Sequence, residues 1–287
     1  MKLFLDSGAY SAYIQKTTVV LQDYIDFIKE HESEIETYAN LDDIGSPEKT
    51  WKNQKEMERQ GLHPIPVYHM DEDEKFLRMA MEYEYFAVGG LTLKSSTSLK
   101  NNLDRVFQHV CTEKTDYYPS NKIHGFGIAT PSLLVRYPWY SADTSSWVQY
   151  GKYGMILIPR IKNGEFRYDL PPYTITVSSR SKAIGDENHF RNLSTMERKQ
   201  IELYCKKENF IIGRTLYKQV KAGYILKENE KFTDRKTKER VEIIVEDGLC
   251  CNHELRDSLN LRYFLNLEKF QKTWSWRWDI RKNNLFT

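Results

Sequence analysis

The chain has 287 residues, 40% of them hydrophobic and 29% charged, a composition that folds in water around one large core or two ordinary ones. No run approaches the ~20 apolar residues that cross a bilayer, and Asp6 interrupts the opening residues too soon for a signal peptide. A cytoplasmic protein without a membrane partner is expected. Net charge is +2, but residues 1–159 hold 16 Lys and Arg against 22 Asp and Glu, and residues 160–287 hold 26 against 18. The second half is therefore the expected polyanion-facing surface.

In chain order, Lys2 to Leu5 reads as a short strand that ends on Asp6-Ser7-Gly8-Ala9-Tyr10. Leu21, Tyr24, Ile25 and Ile28 predict an amphipathic helix over Val19 to Glu32. Glu36 to Leu41 is a second strand ending on Asp42-Asp43, and Ser46 then caps a helix with Pro47 at its first position and Gly61 just past its end. Pro64 to Tyr68 is a strand ending on Tyr68-His69, Glu74 to Tyr83 a helix, and Tyr85 to Val88 a strand running into Gly89-Gly90-Leu91. Ser98 opens a helix with Leu99, Leu103, Val106, Phe107 and Val110 on one face. Lys122 to Ile128 is a fifth strand, Thr130-Pro131 starts a short helix, and Trp139 to Ala142 leads into Asp143. Gly154 to Pro159 and Tyr173 to Val177 complete eight strand-like segments, with a hairpin or loop over Lys162 to Pro172. Strands alternating with helices favour a TIM-type (β/α)8 barrel over residues 1–180.

Residues 181–287 have a different character and are expected to form a basic C-terminal α+β extension, packed on or completing the barrel and contacting nucleic acid. Ser194-Thr195-Met196-Glu197 is a capping box opening a helix to about Lys207, and residues 241–245 read as a strand. Trp274, Trp276 and Trp278 recur at period two beside Arg277 and Arg281. They suit a strand packing one face on the core or a platform for unpaired bases.

Carboxylates stand at three strand ends, Asp6, Asp42-Asp43 and Asp143, and in a barrel such ends converge on one rim. Two carboxylates facing one bound group can serve as nucleophile and general acid/base; the structural alternative is that each caps the helix that follows. The four cysteines form no CxxC pair and the seven histidines no HxH or HxxxH, so no metal and no cofactor is expected. There is no GxGxxG, Walker A or Gly-x-Ser-x-Gly pattern. The residues alone lead to a β/α-barrel enzyme using carboxylates on a neutral substrate or a glycosidic-type bond.

Taken in order, four segments resemble a known family. Asp6-Ser7-Gly8-Ala9-Tyr10 is similar to the Asp-Ser-Gly-Gly-aromatic motif of the tRNA-guanine transglycosylases, and Val88-Gly89-Gly90-Leu91 to their Gly-Gly-Leu strand. Gly125-Phe126-Gly127-Ile128-Ala129-Thr130-Pro131-Ser132-Leu133-Leu134 and Tyr140-Ser141-Ala142-Asp143 are similar to their Gly-x-Gly-Thr-Pro…Leu-Leu…Phe-Asp segment. Asp143-Thr144-Ser145-Ser146-Trp147 is closer to the phage and bacterial branch that acts on DNA. The resemblance covers about residues 1–160. It implies exchange of guanine in DNA for a 7-deazaguanine base such as preQ0 through a covalent Asp–sugar intermediate. The alternatives are the same exchange on tRNA, or a carboxylate-dependent nucleosidase or base-releasing hydrolase.

On that resemblance Asp143 is the nucleophile and Asp6 the general acid/base. Tyr10 stacks on the base with His124 on the opposite face, while Asp42, Tyr68, His69, Gly89, Gly90 and Leu91 line the base site. Ser145, Trp147, Arg180 and Lys182 would contact nucleic acid. The chain departs from the family at Val67-Tyr68-His69, where a Gln-Gly-Gly strand is usual, and Cys250-Cys251-Asn252-His253 lacks the spacing of the family's zinc site.

Overall fold

A computed structural model of the chain describes residues 3–90, 95–128, 130–181, 185–234 and 236–283. The architecture is mixed α/β and divides into two compact units, Met1–Thr144 with Lys272–Thr287, and Ser145–Gln271. The division falls after Thr144, ahead of the change of character near residue 180. The first unit holds 19 Lys and Arg against 23 Asp and Glu and the second 23 against 17, so the basic surplus belongs to the second.

The first unit begins with β1 (Leu3–Leu5), which pairs in parallel with β2 (Ile35–Tyr38). A parallel bridge from Ala39 to Ile65 carries the pairing towards the third strand. From there β3 (Val67–His69), β4 (Tyr85–Gly89), β5 (Lys122–Gly125) and β6 (Ser141–Ala142) lie side by side, all parallel and in chain order. Parallel neighbours require crossovers, supplied by α2 (Leu21–Glu30), α3 (Pro47–Arg59), α4 (Glu74–Ala80) and α5 (Ser96–Val110). Two shorter helices, α1 (Ala9–Gln15) and α6 (Pro131–Arg136), follow β1 and β5. Sequential parallel strands with helical crossovers are how the wall of a β/α barrel is built.

The helices form where the pattern places them. The buried face of α2 is Tyr24, Ile25 and Ile28, and α3 starts at Pro47 and keeps Glu48 in its first turn and Arg59 in its last, matching its dipole. The main core joins Tyr68, Phe86 and Val88 from the strands to Leu103, Val106 and Phe107 of α5. The period-two tryptophans form no strand, but Trp278 is 1% exposed in this core, its ring 5.8 Å from Phe107 and 5.6 Å from Tyr137. Trp278→Ala should therefore lower unfolding free energy by about 3–5 kcal/mol, read from urea denaturation; a loss below about 1 kcal/mol would mean the ring is not anchored there.

In the second unit α7 (Ser146–Lys152) leads into β7 (Met155–Ile158), followed by the hairpin β8 (Arg160–Lys162) and β9 (Glu165–Arg167). β10 (Tyr173–Thr176) then pairs antiparallel with β7. The last two segments of the sequence count thus pair with each other, antiparallel, because the link between them is a hairpin and not a crossover helix. α8 (Thr195–Lys207) opens on the expected capping box of Ser194 and Glu197. An antiparallel sheet follows, β11 (Arg214–Gln219) and β12 (Glu230–Phe232) flanking β13 (Arg240–Glu246), and then α9 (His253–Phe270). Asn260 of α9 is fully buried and ties β7 in place: it accepts from Leu157 N–H at 2.8 Å and donates to the Met155 and Trp147 carbonyls. The chain returns to the first unit and ends its described part in α10 (Ile280–Asn283).

Candidate active site

Every strand of the parallel wall ends on the same side, so the residues that follow β1, β2, β3 and β6 share one rim. Asp6 follows β1 directly and Asp143 follows β6 directly. The loop after β2 is held from α3: Asn53 donates to the Leu41 carbonyl at 2.8 Å, the Thr50 hydroxyl accepts from Asp43 N–H at 2.8 Å, and Lys49 pairs with Asp43 at 2.5 Å. The Ser7 hydroxyl donates to Asp42 Oδ1 at 2.9 Å, which joins the β1 and β2 loops. A cleft of about 320 Å³ opens beside Asp42, lined in part by Ala9, Tyr13, Thr17, Asp43 and Lys49. That is the lower end of the range of small-molecule sites.

The second oxygen of Asp42 meets His69 Nε2 at 2.9 Å, and His69 Nδ1 meets Glu72 Oε1 at 2.9 Å. Burial by itself would lower the His69 pKa, but the hydrogen bonds and charges of Asp42 and Glu72 outweigh it and push it up to about 9. His69 is therefore an imidazolium between two carboxylates at neutral pH. Because its folded pKa lies above the ordinary 6.5, the stability it contributes is complete below that value and is lost as pH rises through about 9. The loss is at most about 3 kcal/mol. Urea midpoints should fall between pH 6.5 and 9 in the native protein and stay flat in His69→Gln; a native profile as flat as the variant's would remove the imidazolium.

Asp143 is held differently. Its backbone is pinned by Ile128 N–H and the Gly125 carbonyl at 3.0 and 3.2 Å. Oδ1 accepts from Gly127 N–H at 3.0 Å and lies 3.3 Å from His124 Nε2. Gly127 adopts φ +63, left-handed backbone open to glycine, which turns its N–H towards Asp143. The Asp143 side chain is 56% exposed, so the carboxylate is oriented and open at once. His124 is buried at 3%, stacked on Phe4 with centroids 4.3 Å apart and edge-on to Phe126.

The Asp6 carboxyl is held above the usual carboxylate range, first by loss of surrounding water and then by the negative charges of Asp42 and Asp143. That coupling brings together three carboxylates lying up to 137 positions apart in sequence. A folded pKa above the ordinary 3.8 means the ionised form costs stability. The cost is absent below 3.8 and complete above the raised value. Asp6→Asn should accordingly raise the melting temperature at pH 7 and leave it unchanged at pH 3; an unchanged value at both would mean that the carboxyl is not held above its ordinary range.

Other residues fall in varied places. Tyr10 on α1 is 41% exposed and free to stack. Tyr68 is fully buried in the core, which takes it out of a base site: its ring faces the helices because neighbouring strand residues alternate sides. His124 cannot offer a free ring face, since it is buried and stacked on Phe4, and its two nitrogens meet Ser141 and Asp143 instead. Asp42 has both oxygens engaged and is 12% exposed, which leaves it little edge to read a base with. Gly89 makes room for His69, whose ring lies 2.7 Å from where a Cβ would be, while Gly90 takes φ +73. In the second unit Arg180 is paired at 2.5 Å with the fully buried Glu242, a charge it must neutralise, so it is not a free phosphate contact. Trp147 lies within α7 and Ser145 precedes it, exposed. Leu91 and Lys182 lie outside the described residues.

The residues that sequence reasoning left without a role are Glu72, Phe4, Tyr85 and Ser141. The last two carry a period-two signal, because Ser141 stands opposite His124 across β5 and β6 and two residues before Asp143. Among the described residues no group of His, Cys, Asp and Glu could hold a metal ion, the four cysteines are free, and no helix is long and apolar enough to cross a membrane. Compared with protein-family models and with curated proteins, the chain matches none of either.

Proposed function

We propose that this chain is a base-exchange transglycosylase of the tRNA-guanine transglycosylase type, replacing guanine in DNA with a 7-deazaguanine base through an Asp143–sugar intermediate. One observation carries the reading: Asp6, Asp42 and Asp143 share a rim, and their surroundings divide the labour. Asp143 is open to solvent and oriented by N–H donors on Oδ1, as a nucleophile must be. Asp6 is pushed towards holding a proton, as an acid/base must.

The electrons balance in two displacements. Asp143 gives a pair to C1′, the C1′–N9 bond breaks with its pair on the departing guanine, and Asp6 supplies the proton. Asp6 then takes a proton from the incoming base, which attacks C1′ and returns the ester pair to Asp143. Configuration is retained, as in a two-step glycosidase. The phosphodiester backbone is untouched. A base in a duplex must be flipped out first, and exposed Tyr10, in the first turn of the helix that follows Asp6, would stack on it. The basic surplus of the second unit suits a polyanion.

The openness of Asp143 favours one second reading, hydrolysis of the ester by water to release base without replacement. Incubation with a labelled 7-deazaguanine and, separately, duplex DNA, single-stranded DNA or tRNA decides among these. Label entering DNA supports the proposal, label entering tRNA selects the RNA substrate, and guanine release without uptake selects the hydrolase.

A further inference from the structure

The geometry points to a hydrogen-bonded chain, Tyr85–Ser141–His124, that holds Asp143 with Oδ1 tied and Oδ2 free, making Oδ2 the attacking oxygen. The inference rests on the reaction proposed above and assigns its positioning residues. Tyr85 Oη lies 2.6 Å from Ser141 Oγ, Ser141 Oγ lies 2.6 Å from His124 Nδ1, and His124 Nε2 faces Asp143 Oδ1 at 3.3 Å.

Register builds the chain. His124 pairs with Ser141 across β5 and β6, and with Ala87 across β4 and β5. Tyr85 lies two residues before Ala87, and Asp143 two beyond Ser141, so all four side chains point to one face.

Donor and acceptor logic fixes the proton on Nε2. The proposed reaction uses Asp143 as a carboxylate, which only accepts, so His124 must present N–H there. In the neutral ring Nδ1 then accepts from the Ser141 hydroxyl, and Ser141 accepts from Tyr85, whose phenol burial keeps above its ordinary pKa and so protonated. If the ring gains a proton, Nδ1 donates to Ser141 and Ser141 donates to Tyr85, with no heavy atom moved. Nε2 carries hydrogen in either state.

Oδ1 thus receives two fixed N–H groups, from Gly127 and His124, and Oδ2 has no partner among the described residues. When Oδ2 bonds C1′, Oδ1 becomes the ester carbonyl oxygen. When the ester breaks, the pair returns to the carboxylate and both N–H groups meet the recovered charge, which eases departure of Asp143 as a leaving group.

Substitution of shape without the donor is the test. His124→Phe keeps a flat ring against Phe4 and removes both nitrogens; His124→Gln restores one N–H. Ser141→Ala and Tyr85→Phe break the chain further back. At saturating DNA, base exchange should fall ~10- to 100-fold in His124→Phe and less in Ser141→Ala and Tyr85→Phe. KM for DNA should be unchanged, and His124→Gln should recover part of the loss. Nitrogen NMR of the free protein should show His124 protonated at Nε2. A neutral ring protonated only at Nδ1, or exchange equal to native in His124→Phe, overturns the inference. Native protein that neither exchanges base nor forms an adduct on any nucleic acid, with Nε2 protonated, overturns the proposed reaction and with it the role of the chain.

Discussion

Asp143→Ala should abolish both the proposed base exchange and the denaturation-resistant protein–DNA adduct, a loss of about a thousandfold or more, with the circular dichroism spectrum remaining native. The size follows from the proposed role: without a nucleophile the sugar would have no covalent partner, and the remaining residues could only bind and orient. The fold should tolerate the change because the side chain is largely exposed and its polar contacts among the described residues are confined to Gly127 N–H and His124 at Oδ1. Asp143→Asn separates charge from shape: it keeps an oxygen for Gly127 N–H but has no carboxylate to attack with, so it should be as inactive as alanine. An adduct persisting in either variant would remove Asp143 from the nucleophile role.

Asp6→Asn should give the second large effect, and a different one. Overall exchange should fall by a factor of about 10²–10⁴, the usual worth of a positioned acid/base. The adduct should still form, because solvent can protonate the departing purine, whereas the incoming base must lose its proton to a positioned base as it attacks. The variant should therefore accumulate the intermediate. Its pH–rate profile should also lose the limb set by the raised Asp6 carboxyl, since the amide does not titrate. Equal loss of adduct and exchange would make Asp6 a positioning residue instead.

Much of the rim was legible because strand ends in parallel β/α units announce themselves. Leu3 to Leu5 running into Asp6, and Ser141-Ala142 into Asp143, need only a run of apolar or small residues followed by polar punctuation. Their convergence was not a sequence property; it depends on the order of pairing, now seen from β1 to β2 and from β3 to β6. The details of each environment were hidden for definite reasons. Tyr68 and His69 are adjacent, and only the strand's phase decides that the first is core and the second rim. His124 looked like a free ring because Phe4, more than a hundred residues away, could not be placed upon it.

Helix α9 was missed on other grounds. Its buried face is Arg256, Leu259, Asn260, Tyr263 and Leu267, a regular helical spacing in which two members are polar. A search for apolar periodicity passes over such a face. Arg256 and Asn260 are inside because they cap carbonyls of Gly151, Leu249, Met155 and Trp147, a requirement invisible until those carbonyls are in place. α1 escaped for the opposite reason: seven residues are too few to show a period, and Gly8 at φ +73 is what turns the chain into it.

The most direct test of the account is to trap the native protein on a guanine-containing duplex, digest it, and find by mass spectrometry which residue carries the sugar. The proposed reaction gives a single modified peptide with the bond at Asp143, which should disappear on adding a 7-deazaguanine base as label enters the DNA. A sugar bonded to Asp6 or any other residue, or label uptake without a covalent intermediate, would contradict it.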